Sequence, residues 1–109
     1  MAAFILLLRD SGFPDNLSPE EMQAIIRRYR DWREGLGVTG QKLVDGEGRV
    51  LTKAGVTDGP YAESKEVMAG FFTIEAQDYD DAVRIAQTCP HIDFGSIEVR
   101  QIEPVPRKG

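Results

Sequence analysis

Two stretches of the chain are apolar on both of their alternating faces, as strands in the interior of a sheet are. The first runs from Ala3 to Arg9 and contains an unbroken Phe-Ile-Leu-Leu-Leu series. The second runs from Val67 to Ala76, and both sets of alternate residues stay largely apolar as far as Thr73. A strand that is buried on both faces needs cover on both sides of its sheet. The pattern therefore predicts two central strands.

An apolar stripe at helical spacing follows a clear helix start at Ser18. Pro19 stands at the first helical position, and Glu21 completes a capping box with Ser18 as the N-cap. Gly35 and Gly37 mark the end of this helix. The stripe is predicted to face the core and comprises Met22, Ile25, Ile26, Tyr29, Trp32 and Leu36.

A second helix is predicted between Asp78, its N-cap, and Pro90, which ends it. Gly95 then begins the last strand. The inner stripe of this helix comprises Tyr79, Ala82, Val83 and Ala86. The last strand alternates between two faces, with Ile97 and Val99 on one and Glu98 and Arg100 on the other.

The segment between the first helix and the second central strand predicts two short strands and two turns. The strands are 41–44 and 49–52, and the Asp-Gly-Glu-Gly run at 45–48 between them is typical of a hairpin turn. Asp58-Gly59-Pro60 predicts a further tight turn, because Gly59 tolerates positive φ and Pro60 fixes its own φ at about −65°.

The predicted elements follow a βαββαβ order of the α+β class. Two helices can cover only one face of such a sheet. Because the central strands are apolar on both faces, and large apolar patches are rarely left in water, something must cover the second face. We expect a second copy of the chain there, packed sheet to sheet across a two-fold axis as a dimeric α+β barrel.

Three runs of residues carry a family resemblance: VTDGPYAESKE at 56–66, GFFTIEAQDYDDAVRIAQTCP at 70–90 and GSIEVRQI at 95–102. Together they resemble the YCII-related family, in the branch named for a DGPF motif, with Tyr61 in place of the motif phenylalanine. The resemblance implies a ferredoxin-like fold with an antiparallel sheet, two helices on one face, and a homodimer with a pocket at the sheet. Some relatives resemble small lyases that use a histidine and an aspartate, but most have no assigned reaction.

Length, charge and cysteine content limit the functions and cellular settings that we expect for the chain. The 109 residues are expected to form one domain, 1–109. The net charge of −5 argues against nucleic-acid binding. The local cluster of Arg27, Arg28, Arg30 and Arg33 is interleaved with Asp31 and Glu34, which is typical of a solvated helix face. The apolar run 2–8 is too short to span a membrane and lacks the basic flank of a signal peptide. The single Cys89 cannot form an internal disulfide, so a reducing, cytoplasmic setting is expected.

Five residues are candidates for a site. Asp58 and His91 are the predicted catalytic pair, and Arg9, Tyr61 and Lys65 are the predicted ligand contacts. Each has a plainer interpretation. Asp58 could serve only turn geometry, and His91 could be a solvated loop side chain. Arg9 could simply be a polar strand end instead of a group that binds an anion at the pocket mouth.

Three functions are compatible with these residues. The first is a cofactor-independent acid/base enzyme of the lyase or isomerase type, acting on a small metabolite with Asp58 as the base. The second is a dimeric binding or regulatory module without chemistry. The third is a heme- or metal-dependent member of the barrel group, in which His91 would be the sole imidazole ligand. With one histidine and one cysteine, no metal and no cofactor are expected.

Overall fold

The structure is a computed structural model that describes residues 1–9, 16–43, 48–59 and 68–104. Within these ranges the chain forms six strands, two α-helices and one 3₁₀ turn. In chain order they are β1 (Ala2–Arg9), α1 (Pro19–Leu36), β2 (Thr39–Lys42), β3 (Gly48–Thr52), β4 (Gly55–Gly59), β5 (Met68–Ala76), α2 (Tyr79–Ala86), the 3₁₀ turn (Pro90–Asp93) and β6 (Ser96–Gln101).

Four of these strands form an antiparallel sheet in the order β2-β5-β1-β6. The two predicted central strands, β1 and β5, lie side by side in the middle, as their two-sided apolar patterns indicated. With α1 and α2 as the crossover helices, this is the ferredoxin-like α+β fold that was predicted. The β3–β4 hairpin is inserted between β2 and β5 and forms a separate two-stranded sheet.

The core lies between one face of the sheet and both helices. Trp32 of α1 meets Phe72 edge-on with ring centroids 5.1 Å apart, and Tyr79 of α2 meets Phe4 at 5.0 Å. The buried apolar residues of the described ranges are Phe4, Leu6, Leu8, Phe72, Ile74, Ala76, Ala82, Ala86 and Cys89. The β1 and β5 members of this set are alternate residues, so the other alternate set lies on the opposite face of the sheet.

The end of α1 and part of its stripe differ from the prediction. The capping box at Ser18 is present as predicted, but Gly35 lies inside the helix, and Gly37 caps it with φ 65°. Ile26 and Leu36 were predicted to be core residues, yet they are 55% and 49% exposed. Ile26 is offset by about 100° from its half-buried neighbour Ile25, which places it beyond the narrow side of α1 that contacts the sheet.

The predicted hairpin between 41–44 and 49–52 is wrong. β2 begins earlier, at Thr39, and pairs with β5, whereas β3 pairs with β4. The observed hairpin turns at Lys53-Ala54, where Gly55 has φ 136°. Residues 45–47 of the predicted turn lie outside the described part of the chain. The turn signal at 45–48 is local and carries no information about which strand β2 pairs with.

The predicted turn at Asp58-Gly59 is also wrong. Both residues belong to β4, where Asp58 pairs with Arg49 and Gly59 pairs with Gly48. Pro60 lies outside the described residues. Cross-strand pairing in the β3–β4 hairpin has therefore overridden the turn preference of the Asp-Gly pair.

α2 agrees with its predicted start. The Asp78 carboxylate accepts a hydrogen bond from the Asp81 amide at 2.8 Å. Pro90, expected to end α2, opens the 3₁₀ turn. Neither α1 nor α2, the helices in the described ranges, is both long and apolar enough to cross a lipid bilayer.

Gly35 and Gly40, which flank Gly37 in the sequence, give opposite predictions for substitution by alanine. Gly40 has φ 145°, and a Cβ there would overlap the Phe71 carbonyl oxygen on the neighbouring strand. We expect Gly40→Ala to lower the free energy of unfolding by about 3 kcal/mol or more. Gly35→Ala meets nothing within 4 Å in α1, so it should raise that free energy by about 0.5 kcal/mol. Urea unfolding of the two variants tests this pair, and equal effects would contradict it.

Candidate functional site

The face of the sheet opposite the helices has an apolar centre. Leu7 of β1 lies beside Phe71 of β5, and Ile5 lies beside Thr73 in the next row. Ile5, Leu7 and Phe71 are half-buried. Both α1 and α2 pack on the other face, so neither described helix covers this one. We call it the open face, defined by Ile5, Leu7, Phe71, Thr73 and the charged residues of the next paragraph.

Three charged side chains adjoin this apolar centre. The register places Glu98 beside Leu7 and Arg100 beside Ile5. The Arg9 guanidinium donates to Glu98 Oε1 at 3.0 Å, and Arg100 Nη1 lies 3.5 Å from Glu98 Oε2. The Arg9 side chain is 27% exposed and that of Arg100 is 65% exposed. Two cations therefore share one carboxylate, which leaves a surplus positive charge in this group of three.

The Arg9 contact also changes the acidity of Glu98. The hydrogen bond from Arg9, followed by the charges of Arg9 and Arg100, holds the pKa of the Glu98 carboxyl below its ordinary value. Glu98 therefore remains an anion across the neutral range, and its carboxylate lies between the two guanidinium groups.

His91 is buried behind the end of β1. Its ring is 2% exposed, with Nε2 2.9 Å from the Arg9 carbonyl oxygen and Nδ1 3.1 Å from the Tyr29 hydroxyl. A carbonyl oxygen can only accept, so Nε2 carries the proton and Nδ1 accepts from Tyr29. His91 is therefore not the solvated loop side chain of the plainer interpretation. Both of its nitrogens are engaged within the protein.

Tyr29 and Cys89 complete this buried polar group. Burial, followed by the nearby Cys89, raises the pKa of the Tyr29 hydroxyl, so Tyr29 stays protonated and can donate to His91. Burial also raises the pKa of the Cys89 thiol, which is 1% exposed. Cys89 thus behaves as a small buried apolar residue and not as a reactive thiolate.

Asp58, the other predicted catalytic residue, lies on the β3–β4 hairpin. Its side chain is 95% exposed, and Oδ1 is 3.9 Å from Arg49 Nε on the neighbouring strand. Among the described residues, no hydrogen bond or ion pair joins Asp58 to His91 or to Arg9. The structure therefore links His91 to Arg9 but leaves Asp58 apart from both.

The remaining predicted contacts, Tyr61 and Lys65, lie outside the described residues. The sequence patterns did not indicate Glu98, Arg100 or Tyr29 as site residues. The alternation of β6 did place Glu98 and Arg100 on one face, and this was the one available signal. Their position beside Leu7 and Ile5 depends on the pairing of β6 with β1, which alternation within a single strand cannot reveal.

A separate cleft of about 520 Å³ lies at the other end of the sheet. Met1 and Ala3 line it, whereas Arg9 is at the opposite end of β1. Its other lining residues include Leu36, Val38, Thr39, Glu75 and Ile85. Within the described ranges, no three His, Cys, Asp or Glu side chains converge in a way that could hold a metal ion.

Comparison with known proteins identifies the family. The model of the YCII-related domain matches residues 13–106, which is most of the chain. A search of curated proteins found no match. The chain therefore belongs to the YCII-related family.

The Tyr29–His91 contact gives a testable prediction for stability. Tyr29→Phe removes the donor to Nδ1 of a ring that is almost inaccessible to water, and should lower the free energy of unfolding by about 1–2 kcal/mol. In a double-mutant cycle with His91→Leu, the two effects should fall short of additivity by about 1 kcal/mol. Urea unfolding of the four proteins measures this coupling. Strict additivity would show that the hydroxyl and the ring do not interact.

Glu98 gives a prediction for pH dependence. Because its folded pKa is depressed, the stabilisation from Glu98 is fully present above the unfolded value of about 4.3 and is lost as pH falls through the folded value. The wild type should therefore lose more thermal stability than Glu98→Gln between about pH 6 and pH 3. Arg9→Gln should likewise reduce the loss of thermal stability between these pH values, since Arg9 is the main cause of the lowered Glu98 pKa. Parallel curves for all three proteins would rule out this coupling.

Proposed function

We propose that this member of the YCII-related family is a homodimer that binds a small organic acid on the open face of its sheet. The observation that carries the proposal is the Arg9–Glu98–Arg100 group beside the apolar centre. In this assignment Arg9 receives the acidic group of the ligand, and the apolar body of the ligand lies on Leu7 and Phe71.

Local charge supports an acidic ligand. The two guanidinium groups and one carboxylate leave one positive charge, although the whole chain carries a net charge of −5. An arginine can hold a carboxylate through two parallel hydrogen bonds. A positive patch in an otherwise acidic protein also favours approach of an anion over that of a cation. Binding of the acid would neutralise the group.

The homodimer is supported by the apolar centre of the open face. Ile5, Leu7 and Phe71 occupy the middle of a four-stranded sheet on the face that lacks helices. A second copy would remove them from water, and a two-fold arrangement requires the same patch on both subunits. Such a dimer would form a pocket between the two open faces, and each subunit would contribute one Arg9–Glu98–Arg100 group to it.

Acid/base catalysis is a second candidate, and the exposure of Asp58 favours it. A carboxylate that is 95% exposed is accessible to a solute, whereas His91 would first have to release both Tyr29 and Arg9. Asp58 is thus the better placed of the two predicted catalytic residues. Tyr61 and Lys65 stay predicted ligand contacts.

Arg9 provides the test of ligand binding. A panel of small aliphatic and aromatic carboxylic acids would be screened by thermal shift against wild type, Arg9→Gln and Arg84→Gln. Arg84 is a matched control, since it is an ion-paired arginine on α2, away from the open face. An acid present at 100 times its Kd should stabilise the wild type and Arg84→Gln by about 2.7 kcal/mol and leave Arg9→Gln almost unshifted.

Two results would contradict this assignment. One is the absence of any shift across the panel, and the other is an equal shift in wild type and Arg9→Gln. Recovery of the bound acid after incubation separates the two candidate functions. An unchanged acid supports a binding module, and a product that is lost in Asp58→Asn supports catalysis by Asp58.

A further inference from the structure

The β3–β4 hairpin has an outer face that is unusually exposed. We call residues 48–59 the arm. On its outer face Leu51 pairs with Val56, and these side chains are 72% and 63% exposed. Arg49 and Asp58 form the neighbouring cross-strand pair on the same face. The outer face of the arm thus presents an apolar pair beside an ion pair.

The arm is poorly supported by its own subunit. β3 and β4 contact each other extensively, but neither forms an extensive interface with another described element. A lone two-stranded hairpin is marginally stable in water and normally needs to pack against further structure. Val50 on the inner face is half-buried, whereas both apolar side chains of the outer face, Leu51 and Val56, are exposed.

We infer that the arm of each subunit packs across the open face of the second copy and brings Asp58 to Arg100 of that copy. The inference rests on the homodimer proposed above. Leu51 and Val56 would contact Ile5, the member of the apolar centre that lies beside Arg100, and would leave Leu7 and Phe71 to the ligand. The site would then be built from both subunits, with Asp58 contributed in trans.

Charge complementarity singles out a second copy as the occupant. The Arg9–Glu98–Arg100 group has one surplus cation, and Arg100 is its more exposed arginine. The arm presents a carboxylate that is 95% exposed and lies 3.9 Å from Arg49. An apolar pair next to a carboxylate on the arm therefore matches an apolar centre next to a guanidinium on the sheet.

Size and symmetry are compatible with this exchange. Five-residue strands extend about 16 Å, enough to cross the roughly 15 Å width of three neighbouring strands. Because every chain carries both an arm and an open face, a two-fold axis satisfies both surfaces of both copies without leaving a free end. Arg9 stays available for the acidic ligand, while Arg100 holds the arm.

This arrangement also accounts for the separation of Asp58 from Arg9 within one subunit. On its outer face the arm adds Arg49 and Asp58, whose charges cancel, to a group with one surplus cation, and Lys53 lies in the turn of the arm. A bound carboxylate then brings the assembled site to neutrality. The site is incomplete in a monomer, because the carboxylate that pairs with Arg100 from outside the sheet comes from the partner.

Mixing two charge-reversal variants tests the contribution in trans. Asp58→Arg and Arg100→Glu each place like charges against each other twice in the dimer, so each should raise the dimer dissociation constant roughly tenfold or more. In an equimolar mixture, the D58R arm meets the R100E sheet and the other arm contact is unaltered. Sedimentation equilibrium should therefore show a heterodimer with nearly the wild-type dissociation constant.

Several outcomes would overturn the inference. They are a monomeric wild type, variants that dimerise as tightly as wild type, or a mixture that behaves as the average of its two components. The last outcome would mean that the charges act within one chain. None of these measurements uses a ligand, so they are independent of the thermal-shift result for Arg9, and a wild-type dimer unaffected by both variants would leave the proposed function standing.

A second pair of variants tests the apolar contact. Leu51→Asp changes an exposed side chain on the outer face of the arm, and Thr57→Asp makes a comparable change on the inner face. The inference requires Leu51→Asp to weaken dimerisation at least tenfold more than Thr57→Asp does. Equal dissociation constants for the two variants would remove the arm from the interface. Because Leu51 is exposed, Leu51→Asp should leave the subunit folded, and circular dichroism of both variants checks this.

Discussion

The alternation of side chains along β1 is the constraint on which both faces of the sheet depend. Phe4, Leu6 and Leu8 point under the helices, whereas Ile5 and Leu7 point to the open face. Since β1 lies between β5 and β6, its register sets which residues of both neighbours share each face. A shift of one residue would exchange core and open face and separate the charged group from its apolar centre.

Arg9, at the end of β1, connects the buried core to the open face. Its carbonyl oxygen accepts from the buried ring of His91, which in turn accepts from Tyr29 of α1. Its guanidinium group lies on the open face and donates to Glu98. The buried hydrogen bonds thus hold the backbone from which the charged side chain extends. In this arrangement His91 is bonded to the backbone of Arg9 and not to its guanidinium group.

The β3–β4 hairpin introduces a second surface that the core of the subunit does not use. The ferredoxin-like sheet is complete with β2 next to β5, so the inserted strands pair only with each other. Their outer apolar pair and the apolar centre of the open face have the same need for cover. A two-subunit site would meet both needs and would relate the position of Asp58 to that of Arg9.

The sequence by itself determined the features that depend on neighbouring residues. These were the Ser18 capping box, the Asp78 cap and the central strands, because capping bonds span three residues and strand alternation has a period of two. Only the tertiary structure decided that β2 pairs with β5, that Asp58 lies in a strand, that His91 is buried, and that Glu98 lies between Arg9 and Arg100. Each of these depends on which distant segments pair, and local patterns do not encode that choice.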